Sequence, residues 1–203
     1  MLSEIQLQNI LRTPLGHLVQ ISSGWYQKTV TDGNALYLTG KHFRADGSFD
    51  KSLVKLNAQV ERRDRRHLLR EDDLLIYAKG EHNRVVRYRE SFGPAAASSL
   101  FSVLRLMHFG VDVEYLRWFL NHPLTQQRLR SLSRGSGIPS LSKAALKDLM
   151  IPVPPLERQR AIVRTYTQWE QERQQLQQLI ELKNQYYQTL LLEASQNEPS
   201  NAR

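Results

Sequence analysis

The chain contains no cysteine. Disulfides, thiolate nucleophiles and cysteine-held metals are excluded, and a reducing compartment, the cytoplasm, is the expected setting. Glycine and proline are scarce, 10 and 8 in 203 residues, and neither occurs between Pro155 and Pro199. No stretch approaches the ~18 consecutive apolar residues of a membrane span, so no membrane partner is expected. The opening MLSEIQLQNILRTPLG has no basic segment followed by an apolar core, and so does not read as a secretory signal. Acidic charge is also short: 20 Asp and Glu face 28 Lys and Arg, for a formal net charge of +8. Residues 155–203 carry six of each sign, so the whole excess lies on residues 1–154. A basic domain before a neutral segment points to a polyanion partner for the first and a protein partner for the second.

Catalytic signatures are missing as well. The six histidines, His17, His42, His67, His82, His108 and His122, include no i, i+4 pair of a metal-binding helix. There is no Gly-x-Ser-x-Gly elbow and no Walker-type Gly-Lys-Ser/Thr. Gly135-Ser136-Gly137 runs into Ile138-Pro139 instead of completing a dinucleotide loop. The Asn/Asp-Pro-Pro-aromatic segment of adenine amino-methyltransferases is absent. No catalytic residue, metal ligand or cofactor is therefore expected. Asp72-Asp73 is the acidic pair a metal-dependent nuclease would use, but no Glu-x-Lys follows it, and a turn into a strand is the favoured reading.

With 40% hydrophobic residues and three Trp, the chain can bury a core. Residues 1 to about 16 suggest an opening helix closed by Pro14 and Gly16. Short strand-like runs follow at 17–21, 35–39, 73–78, 85–88 and 100–106, punctuated by Gly, Asn and Asp. The break at 80–83 suits a hairpin. Asp112 is placed to cap a helix over 113–120 that stops before Pro123, and a second helix spans 124–132. A small amphipathic helix and the strand 149–151 then reach Pro152, Pro154 and Pro155, which permit neither to continue. The expected class is α+β: a mixed, mostly β domain over 1–154, one long coiled-coil helix over 155–196, and a disordered tail at 197–203.

Within that helix, Ile162, Tyr166, Trp169, Arg173, Leu176, Ile180, Lys183, Tyr187, Leu190 and Ala194 alternate four and three apart. Such a heptad seam demands a second helix. Tyr166, Trp169, Leu176, Ile180, Tyr187 and Leu190 are the expected dimerisation residues.

Candidate binding residues are cationic or amphipathic side chains on loops and strand ends. Tyr26 and Lys28 sit in a polar-aromatic loop after Gly24. Lys79, Arg84, Arg87 and Arg89 surround the expected hairpin, with Arg87 and Arg89 on one face because they alternate about Tyr88. Arg134 and Ser136 flank the glycine loop, where backbone N–H groups can meet a phosphate. Arg62, Arg63, Arg65, Arg66 and Arg70 form a dense cluster that reads equally as a solvated face. Side chains of these types reach base edges and supply salt-dependent phosphate affinity.

Residues 135–159, GSGIPSLSKAALKDLMIPVPPLERQ, resemble the end of a target recognition domain in the DNA-specificity subunits of type I restriction-modification systems. That family has a glycine loop before an Ile-x-x-Leu stretch, then Ile-Pro-hydrophobic-Pro-Pro, a Gln and a helix. Gly135, Gly137, Ile138, Leu141, Ile151, Pro152, Pro154, Pro155, Leu156 and Gln159 match. Leu15-Gly16 and the 70–80 segment are weaker echoes, with Asp72-Asp73 where Gly-Asp is usual. The resemblance covers residues 1 to about 194. Family members usually carry two such domains and two long antiparallel helices; this chain shows one of each and resembles half a subunit. The resemblance implies a non-catalytic reader of double-stranded DNA that directs a methyltransferase subunit, with a restriction subunit able to join. A lone helix implies an antiparallel homodimer and an inverted-repeat target whose spacer follows helix length. A free-standing DNA-binding regulator and a nuclease using Asp72-Asp73 are the alternatives.

Overall fold

The computed structural model describes residues 11–44, 47–80, 82–135 and 139–196. In chain order these form β1 (Arg12–Pro14), α1 (Leu15–Leu18), β2 (Val19–Ser23), β3 (Ala35–Leu38), β4 (Leu56–Ala58) and β5 (Leu74–Tyr77). Then come β6 (Val85–Arg87), β7 (Ala95–Ala97), β8 (Phe101–Leu106), α2 (Val113–Asn121), α3 (Pro123–Leu132), α4 (Lys143–Lys147), β9 (Met150–Pro152) and α5 (Leu156–Gln196). Two compact units result, Met1–Arg160 and Ala161–Arg203, and the division falls inside α5.

In the first unit, β2, β8, β5 and β6 form an antiparallel sheet in that order. Alternation along each strand decides what each face meets. Val19, Leu74, Ile76, Val85 and Leu104 cover one face and pack with Leu116 and Leu120 of α2, Leu129 of α3 and Leu146 of α4. Leu75, Val86, Phe101 and Val103 cover the other and meet Leu36, Leu38, Ala95 and Ala97 of a three-stranded sheet, β4-β3-β7. Each Leu, Ile or Val so buried contributes about 1.5–3 kcal/mol. The helices are seated by their caps: the Asp112 carboxylate accepts from Glu114 N and Tyr115 N at 2.9 and 3.0 Å. Pro123 opens α3 at a position where its missing donor costs nothing.

Three features depart from the sequence expectations. Arg12–Pro14 is a strand, not the end of an opening helix; it pairs antiparallel with β9, whose free edge offers backbone partners, and only Leu15–Leu18 is helical. Residues 1–10 lie outside the described residues. The strand expected from His17 starts at Val19. Strands β4 and β7 carry little β-branched signal, yet Ala95-Ala96-Ala97 lies fully buried, parallel to β3. Its small side chains let the two sheets approach closely.

α5 runs for 41 residues, about 61 Å at ~1.5 Å per residue. In its first turn Gln159 is fully buried. Its Oε1 accepts from Asp112 N at 2.8 Å, and its Nε2 donates to Gly110 O and Pro154 O at 2.9 and 2.7 Å. In the second unit, Trp169, Leu176, Ile180, Tyr187 and Leu190 are exposed, and so are Leu179, Leu182 and Tyr186. The apolar surface is thus wider than a single seam. Among the described residues no helix is long and apolar enough to cross a membrane. The tail 197–203 lies outside the described residues.

Candidate nucleic-acid interface

Strand register brings three separate loops to one end of the large sheet. Ser23 pairs with Ser102, and Tyr77 with Phe101, so β2 and β5 leave the sheet at the same end. The loop after β2 must turn against β7 and β8. Gly24 N donates to Phe101 O and Trp25 N to Ala97 O, at 2.9 and 2.7 Å. A Cβ on Gly24 would stand 2.0 Å from Ser98 O, so the approach requires glycine. The Tyr37 hydroxyl then donates to Trp25 O at 2.8 Å, which fixes the loop that presents Tyr26, 76% exposed, and exposed Lys28.

The second loop follows β5, and the third follows α3. Lys79 bridges to Ser140, which also bridges to Arg134, and Gly80 N donates to Pro139 O at 3.0 Å. These bonds carry exposed Arg134 to the β5 end. Arg84 enters β6 here, its Nη1 donating to Arg44 O at 3.1 Å. Tyr26, Lys28, Lys79, Arg84 and Arg134 therefore share one end. Among the described residues these four cations form no ion pair. Ser136 lies outside the described residues.

Arg87 and Arg89 are placed differently. Arg87 pairs with Leu74, toward the opposite end of the sheet. Both arginines do project from one face, as alternation requires, and that face meets α2. Arg87, only 13% exposed at its side chain, ion-pairs with Asp72 and with Glu114 at 2.5 Å. Arg89 reaches Glu114 and Glu71 at 3.3 and 3.4 Å. Burial opposes ionisation of Glu114, but Arg117 and Arg87 outweigh it and hold the carboxyl below its usual range. Burial also works against the Arg87 charge, while Glu114 and Asp72 raise its pKa on balance.

The acidic pair Asp72-Asp73 does not converge. Asp72, in a left-handed turn at φ 72, faces Arg87. Asp73, 1% exposed, accepts from Arg105 Nε and Nη2 at 2.8 and 2.6 Å and from Arg70 N at 2.8 Å. Among the described residues no three His, Cys, Asp or Glu side chains cluster to hold a metal.

Composition and spacing also gave no sign of a pair beside the Tyr26 loop. Trp25 and His67 stack with ring centroids 5.1 Å apart and planes within 2°. His67 ends the 3-10 segment Arg62–His67 that holds most of the arginine cluster. Burial and then Arg66 push His67 below the usual imidazole value.

The family described as Type I restriction modification DNA specificity domain matches residues 33–184. Solved structures of type I systems share the fold. One comes from work on complex assembly and conformational transition of the type I R-M system: TM-score 0.63, 20% identity, covering 87% of this chain and 43% of that one. The HsdS subunit from Thermoanaerobacter tengcongensis gives TM-score 0.58 and 18% identity, over 81% of this chain and 38% of that one. The type I restriction-modification system S subunit from M. genitalium gives 0.57 and 17%, over 88% and 44%. The chain spans less than half the length of each. No curated protein sequence matches it.

Proposed function

The chain belongs to the family of type I restriction modification DNA specificity domains, and from that premise we propose that it reads the sequence of double-stranded DNA for a type I restriction-modification assembly. One observation carries the reading beyond the family: three loops distant in sequence deliver Tyr26, Lys28, Lys79, Arg84 and Arg134 to one end of a rigid sheet, with no carboxylate neutralising the cations among the described residues. Base-edge and phosphate contacts are assigned first to these five, with Ser136 beside Arg134 in sequence. Arg87 and Arg89 would have to exchange carboxylates for phosphates and take a lesser share.

The chain itself carries no chemistry in this reading. A methyltransferase subunit supplies the cofactor and the reaction, and a restriction subunit can join. The apolar band of α5, with Tyr166, Trp169, Leu176, Ile180, Tyr187 and Leu190, is assigned to an antiparallel pairing of two copies. Two identical reading domains call for an inverted-repeat target.

The test is selection from a randomised duplex pool, then binding of the selected duplex at about 50 and 200 mM salt, over which six or more phosphate contacts lose about 10³-fold or more in affinity. Lys28→Ala or Arg84→Ala should lower the salt slope by about 1 where the side chain meets phosphate, or relax one base preference by about 1–3 kcal/mol where it meets a base. Binding without salt dependence would refute the cationic interface. Cleavage of plasmid by the pure chain with divalent metal would instead favour the nuclease alternative.

A further inference from the structure

The large sheet leaves one concave site that the loop-end interface does not occupy. Along β2 the face that elsewhere meets β3 and β7 stays open, with Gln20 and Ser22 exposed. Gln20 lies opposite Arg105, and Ser22 opposite Val103. The stacked rings of Trp25 and His67 form another wall. The cavity these residues line with Arg66 has a volume of about 350 Å³, at the small end of ligand sites.

Its chemistry is specific. Arg105 is held rigidly by two bonds to buried Asp73, at 2.8 and 2.6 Å. Its Nη2 is also 3.4 Å from Leu68 O, whereas its Nη1 makes no hydrogen bond among the described residues. Arg66 Nε donates to His67 Nε2 at 3.3 Å, which settles the guanidinium at the rim of the aromatic wall. No carboxylate lines the cavity. A fixed guanidinium donor, an amide able to donate and accept, a stacked aromatic pair and a second cation suit a planar ring with acceptor edges and an attached anion.

We propose that this cavity binds a single unstacked nucleotide, its base against Trp25 and His67, its edge toward Gln20 and Arg105, and its phosphate toward Arg66. Unstacked bases are held by aromatic faces and read at their edges in this way. The proposal rests on the DNA reading for a base displaced from a duplex; a free mononucleotide presents the same groups.

The full chain, ¹⁵N-labelled, would be titrated with each deoxynucleoside 5′-monophosphate and separately with inorganic phosphate, following the Trp25 indole N–H. At least one monophosphate should shift this signal saturably, and phosphate should not. Gln20→Ala and Arg66→Ala, both at exposed side chains, should each weaken binding about tenfold, the first by losing a base-edge contact and the second a charge-assisted phosphate contact, while the rest of the spectrum stays folded. A duplex with one unpaired base should bind more tightly than its fully paired counterpart, and Gln20→Ala should remove the difference; equal binding of the two would assign the site to free nucleotides. If no duplex binds but a monophosphate still does, the DNA reading falls and the cavity assignment stands. No saturable shift with any monophosphate, or the same shift with inorganic phosphate, overturns the proposal.

Discussion

Replacing Gln159 by Leu should be among the most destabilising changes to a polar residue in this chain. The side chain is fully buried and satisfies three backbone groups, Asp112 N–H, Gly110 C=O and Pro154 C=O. No other described group bonds to these three atoms. Leucine nearly preserves the volume, so cavity formation adds little. Three lost bonds at about 1 kcal/mol each, with a buried N–H left unsatisfied, give about 3–5 kcal/mol. For a domain of this size that lowers Tm by roughly 10 °C. Gln159→Glu isolates the donor side: the carboxylate can still accept from Asp112 N but opposes two carbonyls. Its protonated form fits better, so the folded state raises the pKa of the introduced group. The variant should therefore recover stability as pH falls toward that pKa, opposite to the usual effect of acid. Urea unfolding followed by tryptophan fluorescence, with exposed Gln168→Leu as control, measures both. A loss below about 1 kcal/mol for Gln159→Leu would refute the reasoning, because it would mean that water or backbone shifts replace all three bonds.

Leu176→Asp combined with Ile180→Asp should abolish self-association, since both side chains are exposed, at 61% and 60%, on a stripe assigned to pairing; light scattering reads the mass, and a strictly monomeric parent chain would contradict the pairing. Glu114→Gln should cost about 1–3 kcal/mol at neutral pH by leaving Arg87 short of a partner. The folded state lowers the Glu114 pKa below its ordinary 4.5, so its contribution is present above that value and is lost as pH falls through the folded pKa. The gap between variant and parent should accordingly close in acid, and a gap constant with pH would sink this account.

Local chemistry made some of this molecule readable in advance. The seam of α5 announces itself because heptad spacing and the lack of breakers act within a few turns. Asp112 and Pro123 mark boundaries for the same reason, whereas the ladder of β9 runs through Pro152, expected to end the strand, as far as Val153. β7 was hidden because Ala95-Ala96-Ala97 has no strand preference of its own; its conformation is imposed by Leu36, Tyr37 and Leu38 across a parallel ladder. The site divides along the same line. Lys28, Lys79 and Arg134 could be singled out as cations beside loop breakers. The alternation of Arg87 and Arg89 gave their common face, but not the carboxylate of Glu114 waiting there, 27 residues on from Arg87. The wall of the β2 cavity joins Trp25 to His67, and its floor joins Gln20 to Arg105, pairings that no window of sequence contains.

The small ladder between β1 and β9 has a topological consequence. Arg12 lies opposite Pro152, and the bond from Val153 N to Leu11 O, 2.9 Å, extends the pairing outward. The domain thus receives and releases its chain at one doorway. A module with adjoining ends can be excised, transplanted or placed within another polypeptide without disturbing what flanks it. Recombination at those two points would exchange one such domain for another in a single step. The same closure spans almost the whole domain, so it adds a high-entropy contact that should form late, after the sheets have assembled.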